Sequence, residues 1–241
     1  MKVVLIIQAR LTGIRLPGKV LLPITGIPLL KYLLDRISSS ETADEIIVAI
    51  PDNAENDSLI NFCKSINVKY FRGSEYDVLD RFQSASEKYK ADIIVRLTAD
   101  NPFIDRQIVD DVVNDYLANP VDYVGAVPGR NSGLPVGISV EVISADALSK
   151  AWAGDISSGY REHVTPYIYK NQDLFTLRYY KVEKDYSNYR ITVDTVDDYM
   201  LANTLAGYFS NINYSWVEVV KLLEQNPNLL SINSHISQVT V

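Results

Sequence analysis

Three cations stand close together near the start of the chain: Arg10, Arg15 and Lys19, in the segment Gln8-Ala9-Arg10-Leu11-Thr12-Gly13-Ile14-Arg15-Leu16-Pro17-Gly18-Lys19. Glycine lets backbone amides approach an anion closely, and Arg and Lys add charge-assisted hydrogen bonds. The segment follows an apolar run, Val3 to Ile7, that reads as a buried strand. A basic loop with glycines at the end of a buried strand suggests a site for a polyanion, with a triphosphate as first candidate. The competing reading is a solvated basic turn. The spacing matches neither the Walker loop nor the Rossmann glycine fingerprint.

Two carboxylates extend this pattern. Ile93-Ile94-Val95-Arg96-Leu97 runs into Thr98-Ala99-Asp100-Asn101-Pro102. Ligands of open parallel sheets bind beyond the carboxyl ends of the strands, where Asp100 would lie. A carboxylate there can hold a Mg²⁺ that bridges phosphate oxygens, or it can serve a turn or helix cap. Further on, Arg190-Ile191-Thr192-Val193 leads to Asp194, read as the last residue of a strand. Thr195 or Asp197 can cap the following helix, and Asp197 and Asp198 suit its first turn, where the dipole favours negative charge.

The elements needed to position these residues are legible in outline. Val3–Ile7, Glu45–Ile50, Val68–Phe71, Asp92–Leu97 and Asp122–Val127 are strand candidates. Leu29–Ser38, Asn56–Ser65, Val78–Tyr89 and Ile108–Leu117 are helix candidates, the last with Asp105 as a cap. The alternation predicts a parallel sheet covered on both faces. Beyond residue 127 the rhythm changes. Pro128 to Pro135 reads as an exposed loop. A strand at Ile138–Ile143, helices near Asp146–Trp152 and Tyr160–Tyr169, and strands near Leu174–Val182 and Tyr189–Val193 are expected next. Ser215-Trp216-Val217-Glu218 has the spacing of a capping box. Without a linker or internal repeat, the 241 residues read as one domain.

Composition narrows the partners. The formal net charge of −7 argues against a long nucleic acid, and an acidic chain with one basic loop suits a small anionic ligand. The single cysteine, Cys63, excludes an internal disulfide and is read as a core residue, which suits a reducing cytoplasm. No signal peptide and no stretch of about 20 apolar residues is read, so no membrane is expected.

Five stretches in order then carry a specific resemblance. Ile6-Ile7-Gln8-Ala9-Arg10 with Arg15-Leu16-Pro17-Gly18-Lys19-Val20-Leu21 resembles the signature loop of the sugar-acid cytidylyltransferases. That group includes CMP-KDO and CMP-sialate synthetases, and the match is nearest to the spore-coat polysaccharide biosynthesis protein F type. The others are Arg72-Gly73-Ser74-Glu75 with Asp77-Val78-Leu79-Asp80-Arg81, then Val95 to Pro102, Arg161-Glu162-His163-Val164-Thr165-Pro166-Tyr167-Ile168, and Thr192-Val193-Asp194-Thr195.

The resemblance implies an α/β, three-layer, Rossmann-like fold of the nucleotide-diphospho-sugar transferase type. Its mostly parallel sheet would carry residues 130–190 as an inserted acceptor-binding and dimerisation subregion. It implies CMP transfer from CTP to an acidic sugar with release of pyrophosphate, in cell-surface polysaccharide biosynthesis, with Mg²⁺ as cofactor. Arg10, Arg15, Lys19 and Asp100 would be catalytic. Gln8, Ala9, Arg10, Lys19, Ala49, Arg72, Asp77, Thr98 and Asp100 would surround the nucleotide. Glu141, Arg161, Glu162 and His163 would face a small anionic acceptor, and Asp100 and Asp194 would hold the metal. A homodimer is also implied, in keeping with the tyrosines at 160, 167, 169, 179 and 180.

Departures from the family pattern fall at Thr12-Gly13-Ile14, where small polar residues are usual and Thr12 offers the hydroxyl, and at Ser139, which stands in place of an Asp. His163 also reads as a packing residue, and Arg96 as a partner for a buried carboxylate. Three other readings are open. One is a cytidylyltransferase acting on a phosphonate or phosphorylated small molecule. Another is an inactive nucleotide-sugar-binding protein, against which the intact Arg10, Arg15, Lys19, Asp100 and Asp194 argue. A glycosyltransferase would want a second carboxylate where Asn101-Pro102 stands.

Overall fold

Runs of Val and Ile can be buried on both faces only in the middle of a sheet with cover on each side. The computed structural model describes residues 1–237. Its first strand, β1 (Val3–Gln8), is buried from Val3 to Ile7. The chain continues through a small hairpin of β2 (Pro23–Ile24) and β3 (Ile27–Pro28), then α1 (Leu29–Ile37), β4 (Glu45–Pro51), α2 (Asp57–Ser65), β5 (Lys69–Gly73), α3 (Val78–Tyr89), β6 (Ile93–Thr98) and α4 (Arg106–Ala118). After β7 (Tyr123–Ala126) and β8 (Val140–Ser144) come α5 (Ala145–Gly154), α6 (Ser158–His163), α7 (Pro166–Lys170), β9 (Leu177–Tyr179), α8 (Val196–Ala206) and α9 (Trp216–Gln225).

The main sheet has the order β5-β4-β1-β6-β8-β7-β9. From β5 to β6 it is parallel, β8 runs antiparallel to both its neighbours, and β9 pairs parallel with β7. The alternation of side chains across the pleat feeds two cores. Leu5, Ile7, Val48 and Leu97 join Leu33, Val112, Leu201 and Val220 from α1, α4, α8 and α9 on one face. Val4, Ile6, Ile47 and Ile94 join Phe82, Leu148 and Ile168 from α3, α5 and α7 on the other. Cys63 is buried in the first of these cores. Residues 130–190 share this framework, since β8 lies inside the sheet between β6 and β7.

Several expectations change in detail. The single helix expected over Tyr160–Tyr169 is two, α6 and α7, because Val164 takes a positive φ of 70° and Pro166 opens the second. The strand expected over Leu174–Val182 shortens to β9. Tyr189–Val193 is extended but makes only one isolated bridge, Val136 with Arg190. The loop at 128–135 is not wholly exposed, since Ser132 and Leu134 are buried. The caps hold where polar residues precede helices: Asp105 accepts from Ile108 N–H at 3.0 Å, and Thr195/Asp198 and Ser215/Glu218 form capping boxes. Among the described residues, no helix is long and apolar enough to cross a membrane.

One close approach shapes the site below. Gly137 has φ +111°, and a Cβ there would lie 2.5 Å from Thr192 N and 2.7 Å from Ile191 C. The chain that leads to Asp194 therefore packs directly on the Gly137 backbone. Gly137→Ala is expected to destabilise the fold by about 2 kcal/mol or more in urea unfolding, from strain and clash together. A change within about 0.5 kcal/mol, the usual range for a neutral surface position, would show that the contact is dispensable.

Candidate active site

β1 and β6 are neighbours, with Gln8 paired to Thr98, so the loops that follow them emerge side by side at the carboxyl edge of the sheet. The first loop is a closed ring. Gly18 N–H donates to Leu11 C=O at 2.9 Å, and Gly18, with φ +72°, turns the chain into the 3-10 turn that starts at Lys19. Leu11 N–H donates to Oδ1 of the buried Asn56 at 2.8 Å, which ties the ring to the start of α2. Thr12 does not offer its hydroxyl to the cleft; it donates to Glu75 instead. Ile14, at the tip, is 94% exposed.

At the centre, Lys19 Nζ lies 2.8 Å from Asp100 Oδ2 and 2.8 Å from Asp194 Oδ1. The two carboxylates are far apart in the chain, and a backbone bond joins their segments: Val193 N–H donates to Asp100 C=O at 2.8 Å. Asp194 therefore does not end a ladder strand, as expected from its sequence, but sits on an extended segment held by Asp100 and Val136. Arg15 Nη2 reaches Asp194 Oδ2 at 2.9 Å and Arg190 Nη2 reaches the same oxygen at 3.2 Å. Burial works against the Lys19 charge, but Asp100 and Asp194 outweigh it and raise its pKa above the ordinary lysine value. Burial likewise opposes ionisation of Asp100, yet the Lys19 ammonium and the Thr98 hydroxyl hold its carboxyl below the usual range. Lys19 and Asp100 thus favour each other's charged form.

Around it lies a cleft of about 320 Å³. Gln8, Ala9, Arg10, Arg15, Lys19, Thr98, Asp100, Glu162, His163 and Asp194 line it, as does Arg81, which was expected only as part of a motif. Arg10 Nη2 stands 3.5 Å from Glu162 Oε1 across the mouth. Arg81, on α3, is 2% exposed. Its Nη1 donates to Ser74 C=O, while its Nε has no hydrogen-bond partner among the described residues. Burial, with Arg10 nearby, brings its pKa down to about 10. A buried guanidinium with a free donor on the wall of a cleft is a group set to meet an acceptor atom of a ligand. Its sequence signal is weak, because an Arg on an amphipathic helix normally reads as surface. Burial, helped by Arg96 and Arg10 and opposed by Glu162, pushes the His163 pKa below its usual value, so the imidazole is neutral at pH 7.

Other expected residues lie behind the wall. Glu141 is buried in β8; it pairs with Arg96 and accepts from Tyr123 Oη at 2.6 Å and Thr165 Oγ1 at 2.7 Å. Arg96 in turn donates to Gln8 Oε1 from Nε at 3.2 Å and Nη2 at 3.0 Å. This settles Arg96 as the partner of a buried carboxylate. It also leaves the Gln8 amide nitrogen as the end not held by Arg96. Arg161 Nε donates to Asp77 Oδ2 at 2.8 Å and its Nη1 to the carbonyls of Trp152 and Asp155. Asp77 also caps α3 through Asp80 N–H. Arg161 and Asp77 therefore fasten α6 to α3 and neither lines the cleft. Ala49 is buried in β4, where its carbonyl accepts from Ala9 N–H, and Arg72 faces outward to Asp57 and Asn53.

A divalent metal can be tested against this donor set. Among the described residues no cluster of three or more His, Cys, Asp or Glu exists that would cage a metal by itself. Mg²⁺, however, is usually held by one or two carboxylates together with substrate phosphates and waters. Asp100 and Asp194 converge within reach of one cation, so the residues fit Mg²⁺ bound with a phosphate ligand.

The comparisons with known proteins agree with this geometry. The Spore coat polysaccharide biosynthesis protein SpsF of Bacillus subtilis is 34% identical over 94% of this chain and 95% of its own length. A 3-deoxy-manno-octulosonate cytidylyltransferase of Geobacter metallireducens is 27% identical over 59% of this chain and 56% of its own. The structure of a cytidylyltransferase from Leptospira borgpetersenii superposes over 100% of both chains with a TM-score of 0.91 at 32% identity. Residues 4–235 match the profile of the Cytidylyltransferase family as a whole. With its basic first loop, its strand-end Asp100 and the full span of the match, the chain belongs to the cytidylyltransferase family, whose members are CTP-dependent nucleotidyltransferases.

Proposed function

We propose that the protein transfers CMP from CTP to an acidic sugar of the ulosonic or nonulosonic acid type, releasing pyrophosphate, in cell-surface polysaccharide biosynthesis. The observation that carries this reading is the Lys19 ammonium set between Asp100 and Asp194, with Arg10 and Arg15 on the same cleft. Such a site can take a triphosphate with its metal: Asp100 and Asp194 would hold Mg²⁺, which neutralises phosphate charge and polarises the phosphoryl oxygens. Lys19, Arg10 and Arg15 then meet the charge that develops on the α-phosphoryl group and on the departing pyrophosphate. Preset donors in a cleft do this without reorganising at the moment of reaction.

In the transfer, an acceptor hydroxyl oxygen forms a bond to the α-phosphorus while the bond to the pyrophosphate oxygen breaks. His163 and Glu162, at the end of α6, line the cleft and would meet the acceptor. The neutral His163 imidazole can accept a hydrogen bond from that hydroxyl and take its proton as the bond to phosphorus forms. Glu141 and Arg161 serve this face from behind, by fixing Arg96 with Thr165 and by fastening α6. Gln8, Ala9 and Thr98 form the floor next to the nucleotide, and Arg81 supplies a donor to the nucleotide.

Two outcomes test the reading. Pyrophosphate release in the presence of Mg²⁺ and a panel of acidic sugars is expected with CTP and not with ATP, GTP or UTP; release that ignores the base, or needs no acidic sugar, would contradict it. Asp100→Asn and Lys19→Ala are each expected to cut turnover by at least about 100-fold, in line with loss of one preset charge at a transition state. Circular dichroism should stay at the wild-type spectrum. Near-normal turnover in either variant would remove that residue from the reaction.

A further inference from the structure

The segment past α9 winds through a 3-10 turn at Pro227–Ile232 and returns to the underside of the site. There Asn233, 3% exposed, donates through Nδ2 to Asp198 Oδ1 at 2.9 Å and to Arg190 C=O at 3.2 Å. Asp198, 1% exposed, grips the Arg190 guanidinium on two nitrogens: Nε donates to Oδ1 at 2.9 Å and Nη2 to Oδ2 at 2.8 Å. The same Asp198 Oδ2 accepts the backbone N–H groups of Asp194 and Thr195, each at 3.1 Å. Arg190 Nη2 also reaches Asp194 Oδ2 at 3.2 Å.

From these bonds we infer that Asn233, Asp198 and Arg190 form a positioning relay that fixes the Asp194 carboxylate for a divalent cation. This makes the C-terminal segment part of the active site's support. A helix cap alone would need only Asp198 and Thr195. It would not need a second side chain, brought from the far end of the chain, on the remaining Asp198 oxygen. With Asn233 on Oδ1, the Asp198 carboxylate is fixed about its own axis, and a bidentate fork then fixes the guanidinium plane. Arg190 and Arg15 both take Asp194 Oδ2, which leaves Oδ1 turned toward Lys19 and Asp100. Partners of this kind orient ligating groups and tune their affinity without touching the metal.

The inference rests on the reading of Asp194 as a cation ligand, and the experiment separates the two. Mn²⁺ affinity is measured by electron paramagnetic resonance on the full chain with α,β-methylene-CTP, which binds but cannot transfer. Asn233→Ala is expected to weaken Mn²⁺ about tenfold, the usual order for removing such a support. Asn233→Asp, of the same shape but presenting an acceptor to Asp198, is expected to weaken it at least as much, and serves if the alanine variant fails to fold. Leu229→Ala, in the same segment but facing the apolar core, should lower the melting temperature and leave Mn²⁺ affinity unchanged. Asp194→Asn is expected to lose protein-bound Mn²⁺, so that only the signal of unbound Mn²⁺ remains. Wild-type affinity in folded Asn233 variants, or an equal loss in Leu229→Ala, overturns the relay while the Asp194 assignment stands. Wild-type affinity in Asp194→Asn overturns both.

Discussion

Everything in the site hangs on one ammonium group shared by two carboxylates. Taking Asp100 and Asp194 out of bulk water next to each other would be costly, and like charges at close range raise each other's pKa. Lys19 resolves this by sitting 2.8 Å from both, and Arg15 and Arg190 add positive charge to the far oxygen of Asp194. The result is a pair of carboxylates aimed at one cation. For that pairing to exist the chain has to bring Lys19 out of the first loop by way of the left-handed Gly18, and bring Asp194 to Asp100 through the Val193 bond and the bare backbone of Gly137. These are geometric demands on backbone, which explains why they fall on glycines and on an extended segment rather than on a helix.

The second constraint is rigidity behind the wall. Gln8 and Thr98 end paired strands, so they are as fixed as the sheet. Gln8 is further locked by Arg96, Arg96 by Glu141, and Glu141 by Tyr123 and Thr165. A buried carboxylate and guanidinium are tolerable here because every oxygen of Glu141 has a partner. On the opposite side Arg161 and Asp77 clamp α6 to α3, which holds Glu162 and His163 over the cleft. Both networks thus back the cleft, one through the sheet and Thr165 and one through α3 and α6.

Much of the parallel half was legible because burial on both faces writes itself as unbroken Val and Ile, and the strand-end rule then points to Asp100. The mixed half was less so. β8 begins later than its apolar run because Gly137 is used for close approach, and Tyr189–Val193 reads as a strand but is spent on holding Asp194. Side-chain roles divided along a similar line. Lys19, Arg10 and Arg15 were readable from type and spacing. Arg161, Asp77 and Glu141 carried the chemistry of a binding site but pair with one another or with buried neighbours, which only three-dimensional packing decides. Arg81 was missed as a wall residue for the reverse reason, since its burial depends on α3 lying against the first loop. The clue the sequence held to the buried network was Arg96, a cation inside an apolar strand, which the structure sets opposite Glu141 on the neighbouring strand.

The most direct test of the account is the identity of the bond broken. ³¹P nuclear magnetic resonance of a reaction containing the protein, CTP, Mg²⁺ and an acidic sugar should show inorganic pyrophosphate growing together with a single phosphodiester resonance from the CMP-sugar. Appearance of orthophosphate, or of a diphosphate linkage in the product, would contradict attack at the α-phosphorus in a site built around Lys19, Asp100 and Asp194.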